Sequence, residues 1–489
     1  MLIQVSKEEK VPVFTQLVEK IRELIEAGAM PEGYRLPSTR QMAVSLGINR
    51  STVVRAFNEL WALGYLESTP GSYTCVRKRK KITGTPSPGI VPERWGDQWF
   101  AGGQAFDFTM MDRYAQLMSE AGAGIVDFYH LVPDMRLLDK RQVSESFREA
   151  LNCNDCNVFG YNHPRGLPQL REVVLNHMRL HSIHAGDENI LITNGSQNSL
   201  QLVFQAFASR GDVIAIESPT YAMLFPLIRY YGLEVAEVPC GPDGMDLDTL
   251  SAILLKRNIR FIYTMPSFQN PTGATMPQES RERLLGLCER FQMILIEDSI
   301  EEEMKYFGRV HLPIKSMDHH GQVIYLGSFS KVLAPGMRTA WVIAPANCIE
   351  RMTAVKTMSD LSSNTLSQLM LYHFCKSGYY ELHIRRMMRI FRKRMKTALR
   401  LLRQHMPQNR VSWDEPLGGF LIWLHLHCQT PTDLENYFLS HGVRITDGRL
   451  FFFTAASGCY IRISISKCND AEIAEGIRRL ADAIRRLPD

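Results

Sequence analysis

Residues 323–343 read VIYLGSFSKVLAPGMRTAWVI. Two short apolar runs, Val323–Leu326 and Trp341–Ile343, bracket a stretch of small, polar and charged residues. Such runs, bounded by Gly and Pro, read as buried strands. Between them Lys331 follows Gly327-Ser328-Phe329-Ser330, and Arg338 lies seven residues further on. A lone lysine at a strand end is ordinarily a surface residue. With two hydroxyls within three residues it is placed to form an imine beside an anion, and a guanidinium supplies that anion with a rigid fork.

The same pattern recurs upstream. Ile190–Thr193, Val213–Ile216, Phe261–Thr264 and Met293–Glu297 alternate with helical stretches. That alternation predicts an α/β domain with a mostly parallel sheet covered by helices. Each strand leads into residues with chemistry. Asn194-Gly195-Ser196-Gln197 opens a helix whose free N–H groups form an anion site. Glu217-Ser218-Pro219-Thr220-Tyr221 offers an aromatic face, and Asn270-Pro271-Thr272-Gly273 a side-chain amide. Asp298 ends its strand with a carboxylate. Arg462 lies inside the strand-like run Tyr460–Ser464, where a buried charge needs a partner such as a ligand carboxylate. Read singly, these are a Gly-Ser pair, a core tyrosine, a turn, a helix cap and a paired charge. Read together, they supply what a phosphorylated aldehyde cofactor needs: a lysine, phosphate donors, a carboxylate for a ring nitrogen and an aromatic face.

The N-terminal part has a different pattern. Phe14, Leu17, Ile21, Leu24 and Ile25 recur at helical spacing. Ser38 and Gln41 form a capping box for a second helix, with Met42, Ala43 and Leu46 inward and Gly47 at its end. Asn49 is placed to cap a third helix, with Val53, Phe57 and Leu60 inward. Tyr65–Ser68 and Tyr73–Val76 read as two strands around Pro70-Gly71. Three helices and a hairpin make a winged helix-turn-helix over residues 1–78. Its third helix would enter the DNA major groove with Asn49, Arg50, Ser51 and Thr52 leading. Arg35, Arg40 and Arg55 flank that face, and Gly71 lets the wing backbone approach the minor groove.

Charge distribution agrees. Residues 1–81 hold 13 Lys+Arg against 8 Asp+Glu, an excess equal to the +5 of the whole chain, so the polyanion partner belongs to this end. Residues 79–125, which start inside the basic run RKRKK and include Pro86, Pro88 and Pro92, read as a linker with a possible short helix near 112–120.

The stretches Arg35–Arg40, Leu46–Val53 and Leu63–Leu66 resemble the GntR family DNA-binding domain. The resemblance implies contacts to a double-stranded DNA operator at Arg40, Arg50, Ser51, Thr52 and the wing around Gly71. From residue 126 to 489 the chain resembles the fold-type I aminotransferases. The motifs that carry it are Gly160-Tyr161 through Gly166-Leu167-Pro168-Gln169-Leu170-Arg171, Asn270-Pro271-Thr272-Gly273, and Ser328-Phe329-Ser330-Lys331 with Arg338. This implies a pyridoxal 5'-phosphate (PLP) transferase fold with a small C-terminal α+β subdomain. It gives Lys331 the aldimine, Asp298 the ring nitrogen, Asn270 the 3-hydroxyl and Tyr221 the ring face. Phosphate falls to Ser196, Gln197, Ser328, Ser330 and Arg338, beside Gly195, and a substrate carboxylate to Arg462. One departure stands out: the family usually has a tyrosine two or three residues after the aspartate, where this chain has Ile300 and Glu301.

The two halves together resemble the MocR subfamily of bacterial regulators. That implies a homodimer and a PLP-dependent transcription regulator that senses an amino compound, or PLP itself, through an aldimine on Lys331. Two rivals remain: an active aminotransferase with an accessory DNA-binding head, and a DNA-associated scaffold that binds no cofactor. No apolar run approaches membrane-helix length, and MLIQVSKEEK lacks the apolar core of a secretory signal. Ten undense cysteines fit reduced thiols. A cytoplasmic protein is expected. Cys153-x-x-Cys156 has no second pair to complete a metal site, so no metal is expected.

Overall fold

Helix α1 (Val13–Glu26) buries Leu17 and Ile21 of the stripe its periodicity marks out, together with Val18, while Phe14, Leu24 and Ile25 are half-buried. Helix α2 (Thr39–Leu46) begins at a reciprocal cap. Ser38 Oγ accepts the Gln41 N–H at 3.3 Å, and Gln41 Oε1 accepts the Ser38 N–H at 3.0 Å. It ends at Gly47, whose φ of +63° turns the chain toward α3 (Arg50–Ala62). Asn49 occupies the position before α3, but its side chain makes no capping hydrogen bond, which corrects the expectation of a side-chain cap. Strands β1 (Leu66–Ser68) and β2 (Thr74–Val76) pair antiparallel as the wing. Leu17, Ile21, Met42, Val53, Phe57, Leu60, Leu66 and Val76 close one core.

The computed structural model describes residues 3–6, 8, 11–68, 73–78, 122–153, 157–456 and 458–488. The turn at Pro70-Gly71, most of the basic run, nearly all of the expected linker and Cys156 lie outside them. The chain divides into two compact units, Met1–Gly103 and Gln104–Asp489.

The second unit opens with β3 (Val126–Asp127), α4 (Lys140–Leu151) and α5 (Pro168–Arg179). Then come β4 (Ile190–Thr193), α6 (Ser196–Phe207), β5 (Val213–Ser218), α7 (Leu224–Tyr231), β6 (Glu234–Gly241), β7 (Gly244–Met245) and α8 (Leu247–Leu254). Next follow β8 (Phe261–Thr264), α9 (Gln278–Phe291), β9 (Ile294–Asp298), β10 (Val323–Ser328) and β11 (Ala340–Ile343). Strands β4 to β11 form one eight-stranded sheet in the order β4-β11-β10-β9-β8-β5-β6-β7. Strands β10, β9, β8, β5 and β6 run parallel, while β11 is antiparallel to both its neighbours, so β4 points the same way as β10. Every residue of β4, β8, β10 and β11 is buried, as a sheet covered on both faces requires.

Helices α10 (Ala346–Asp360), α11 (Thr365–Lys376) and α12 (Tyr379–His405) lead to the last part of the chain. There β12 (Val411–Trp413), β13 (Leu421–Leu426), α13 (Leu434–Ser440), β14 (Val443–Arg444), β15 (Thr446–Asp447), β16 (Cys459–Ser464) and α14 (Asp470–Arg485) follow. Strands β12, β13, β16 and β15 make a separate antiparallel sheet, the α+β part the resemblance implies. Among the described residues no helix is long and apolar enough to cross a membrane.

Candidate functional site

Because β4, β5, β8, β9 and β10 share one direction, their C-terminal ends lie along one edge of the sheet. Gly195, Tyr221, Asn270, Asp298 and Lys331 all sit at or just beyond those ends, though they span 137 positions of sequence. Open α/β sheets carry their ligand crevice at this edge.

At one end of this edge several hydrogen-bond donors come together. Ser196 and Gln197 are the first residues of α6, so their N–H groups have no partner inside the helix. Gly195 precedes them with φ +99°, and a Cβ there would fall 2.2 Å from Arg338 Nη2. The missing side chain is what lets that guanidinium close over the helix start. Arg338 itself has φ +49° and donates to Asn194 O at 3.0 Å. Ala340 of β11 pairs with Thr193 on one side and Ser328 on the other, which brings Ser328 into the same row. Ser328 Oγ accepts the Ser330 N–H at 3.1 Å.

Further along the edge, Asp298 ends β9 and Tyr221 follows β5. Asp298 is 1% exposed. Its Oδ2 accepts from Tyr263 Oη at 2.8 Å, and its Oδ1 has no hydrogen-bond partner. Burial raises its pKa to about 6, with the Tyr263 hydroxyl, the Ile300 backbone N–H and the Lys331 charge acting against that rise. Tyr221 Oη donates to Gln197 Oε1 at 3.2 Å, and Gln197 Nε2 donates to Met223 O at 2.9 Å, which ties the ring to the helix start.

At the far end Arg462 enters from β16. Its Nη1 donates to Asn270 Oδ1 at 3.0 Å, and its Nη2 to Tyr129 O at 2.9 Å and Thr446 Oγ1 at 3.1 Å. Its Nε has no partner, and no carboxylate pairs with it among the described residues. Burial lowers its pKa to about 10. Lys331 is half-buried and donates to Leu131 O at 2.7 Å. Desolvation lowers its ammonium below the usual lysine range, which favours the neutral, nucleophilic amine.

Several of these neighbours are absent from the sequence reading. Tyr263 lies inside a strand and looks like any core tyrosine. Leu131 takes part only through its carbonyl. Asp360 accepts from Asn194 Nδ2 at 2.5 Å and is held by Lys356 at 2.8 Å, which stiffens the loop before Gly195. Glu301, noticed only because it is not a tyrosine, is fully buried three residues beyond Asp298.

A second polar group lies elsewhere. His177, His181 and Glu303 bring three ligand-type atoms within 4.8 Å of one another. Glu303 Oε1 is 2.6 Å from His177 Nε2 and 3.0 Å from His181 Nε2. Those are hydrogen-bond lengths, whereas atoms sharing an ion at ~2.1 Å sit about 3.4 Å apart. The group reads as a clamp between α5 and the loop after β9.

In the first unit Arg35, Arg40, Asn49, Arg50 and Ser51 are exposed, and Thr52 is half-buried. The Arg35 guanidinium lies 3.8 Å over the Tyr73 ring of the wing, and Arg55 lies 4.3 Å over Phe14. Both arginines are thereby held by the domain's own aromatics. Gly71 falls outside the described residues.

Two family models match the chain: aminotransferase class I and II over residues 134–480, and bacterial regulatory proteins of the gntR family over residues 14–76. The chain is 30% identical to YisV of Bacillus subtilis, an uncharacterised HTH-type transcriptional regulator, over 99% of this chain and 98% of the relative. It is 28% identical to MocR of Rhizobium meliloti, a probable rhizopine catabolism regulatory protein, over 83% of this chain and 80% of the relative. Among solved structures it is similar to LysN, the alpha-aminoadipate aminotransferase of Thermus thermophilus, complexed with N-(5'-phosphopyridoxyl)-L-leucine. The TM-score is 0.70 at 28% identity, covering 78% of this chain and 98% of LysN. Aminotransferases of this fold depend on PLP. The chain therefore belongs to the class I and II aminotransferase family and joins that domain to a gntR-family regulatory domain, the architecture of regulators such as MocR.

Proposed function

We propose that the protein is a transcription regulator that binds an operator through its first unit and senses an amino compound, or PLP itself, in the crevice around Lys331. The observation that carries this reading is the meeting of Gly195, Tyr221, Asn270, Asp298 and Lys331 at one sheet edge in a chain that also holds a gntR-type domain.

The residues fit PLP on specific counts. The unpartnered Asp298 Oδ1 is the acceptor that a ring N–H needs. The α6 start, Ser328, Ser330 and Arg338 form a cradle that a single Cβ at Gly195 would fill. When bound, the cofactor supplies an electrophilic carbonyl carbon that captures primary amines. The chain's own residues do the rest. Ser196 and Gln197 N–H groups, the two hydroxyls and Arg338 hold the phosphate. Asp298 would keep the ring nitrogen protonated, and Tyr221 would offer the ring an aromatic face. Lys331 supplies the anchoring amine, and Asn270 holds Arg462 so that its free edge meets a ligand carboxylate.

Sensing requires that the ligand favour one arrangement of the DNA-binding units over another. A homodimer would present two such units to two half-sites. Phe159 and Tyr161, 88% and 80% exposed, are apolar surface suited to a second subunit.

The test is the visible spectrum of the PLP-loaded protein during titration with single amino acids and amines, followed by operator binding. A band absent from Lys331→Ala that shifts with one amine and stays shifted, together with changed DNA affinity, supports the sensor. Ligand-dependent DNA binding that survives Lys331→Ala sinks it. The cofactor set, which lacks only the tyrosine usual after the aspartate, also favours a second reading, an aminotransferase with a DNA-binding head. Bleaching of the band with 2-oxo acid accumulating over many turnovers would identify that enzyme.

A further inference from the structure

Lys356 lies one turn before the end of α10 and has no exposed surface. Its Nζ is 2.8 Å from Asp360 Oδ1, the one acceptor it reaches among the described residues. A buried ion pair is costly, and apolar side chains of similar volume usually serve stability as well. Local helix physics does not account for the pair either. Asp360 ends α10, where the helix dipole disfavours negative charge, and a lysine four residues before an acid is the weaker order for such a pair. Leu361, directly after it, holds a φ of +56°, a left-handed value that a bulky side chain adopts only under constraint.

The second Asp360 oxygen shows what the pair holds. Oδ2 accepts from Asn194 Nδ2 at 2.5 Å. The Asn194 backbone is gripped as well: its N–H donates to Asn198 Oδ1 at 3.2 Å, and its carbonyl accepts from Arg338 Nη2 at 3.0 Å. Asn198 belongs to the first turn of α6, and Gly195, Ser196 and Gln197 follow Asn194 directly. An unbroken chain of hydrogen bonds therefore runs from a buried cation in α10, through Asp360 and Asn194, to the guanidinium at the start of α6. Donors aimed at an anion work best when they are fixed before it arrives. Without Lys356, the Asp360 carboxylate would stand as an uncompensated negative charge bonded to the residue beside Gly195, where it would repel a second anion.

We infer that Lys356 and Asp360 are positioning residues for the phosphate donors, and that this pair lets the site discriminate a phosphorylated ligand from the same ligand without its phosphate. The inference rests on the cofactor reading above. Asp360 fixes the Asn194 side chain, and so the peptide that leads into Gly195 and the first N–H groups of α6. Lys356 neutralises Asp360 so that the grip adds no net negative charge. Both act through Asn194 and Arg338.

The experiment titrates the full-length, cofactor-free protein with PLP and with pyridoxal, reading absorbance. Both compounds offer Lys331 and the ring contacts the same groups, so the ratio of their affinities isolates the phosphate. Lys356→Met should lower that ratio on the order of ten-fold, with pyridoxal affinity nearly unchanged. Two double variants keep the test decisive if the single one folds poorly, since both remove the two charges together. In Lys356→Met with Asp360→Asn, the new amide oxygen still accepts from Asn194, and the ratio should stay near wild type. In Lys356→Met with Asp360→Ala the acceptor is gone, and the ratio should fall about five-fold. A purely structural role would shift the melting temperature and weaken both compounds alike, and that result overturns the inference. So do two double variants with the same ratio. If wild type itself takes up no PLP, the cofactor reading fails and the inference falls with it.

Discussion

Tyr263 Oη donates a 2.8 Å hydrogen bond to one oxygen of Asp298 and leaves the other without a partner. The bond favours the ionised aspartate, against the burial that raises its pKa to about 6. Tyr263→Phe removes the donor without opening a large cavity. Asp298 should then ionise at higher pH and hold a ring N–H less well. A hydrogen bond to a charged group is worth ~1.5–3 kcal/mol, so PLP affinity should fall at least roughly ten-fold. Absorbance titration of the cofactor-free variant with PLP checks this.

Arg462 is held by three neutral oxygens and by no carboxylate among the described residues. Arg462→Lys keeps the charge but loses the planar fork. The spectral response to amino acids should weaken about a hundred-fold, while the response to methylamine, which has no carboxylate, should persist. Equal losses for both ligands would show that Arg462 only supports the fold.

At Gly195 a side chain has no space, since its Cβ would land 2.2 Å from Arg338 Nη2 at a φ of +99°. Gly195→Ala should displace Arg338 and weaken PLP more than it weakens pyridoxal without phosphate. Parallel titrations with the two compounds separate a phosphate effect from a general loss of the pocket.

On the first unit, Arg50 is exposed at the start of α3, while Arg35 and Arg55 stack on Tyr73 and Phe14. Arg50→Ala should weaken operator binding. If Arg50 neutralises a phosphate, the salt dependence should drop by about one unit of slope; if it reads a base, specificity should relax instead. Binding at several salt concentrations on matched and mutated operators distinguishes the two, and no change in either quantity would remove Arg50 from the interface.

Burial opposes ionisation of Glu303, but the hydrogen bonds from His177 and His181 win and hold its carboxyl well below the usual carboxylate range. A depressed native pKa stabilises the fold above the unfolded value, near ~4.3, and that contribution fades as pH falls through the native value. Glu303→Gln should cost about 2 kcal/mol at neutral pH, with the difference from wild type shrinking below pH ~4. Urea melts across pH measure it.

Much of this was legible in the chain because it is local. The capping box at Ser38 and Gln41, the stop at Gly47, and the strands ending at Thr193, Thr264 and Asp298 follow from periodicity and turn chemistry within a few residues. The wing strands are each one residue shorter than their apolar runs, since pairing and not composition sets where a strand begins. Asn49 shows the opposite case: a good capping residue in the right place whose side chain makes no cap.

By itself the sequence determined two dissimilar halves, a basic helix-turn-helix pattern and an α/β strand alternation with a lysine, an aspartate and an arginine in order. Only tertiary structure decided what those residues face. Asn270 meets Arg462 across 192 positions, Lys331 meets the Leu131 carbonyl across 200, and Tyr263 reaches Asp298 across 35. Such contacts depend on which strands lie side by side and which side chains the closed core leaves unsatisfied. Local backbone preference carries no record of either, because both arise from burial shared across the whole sheet.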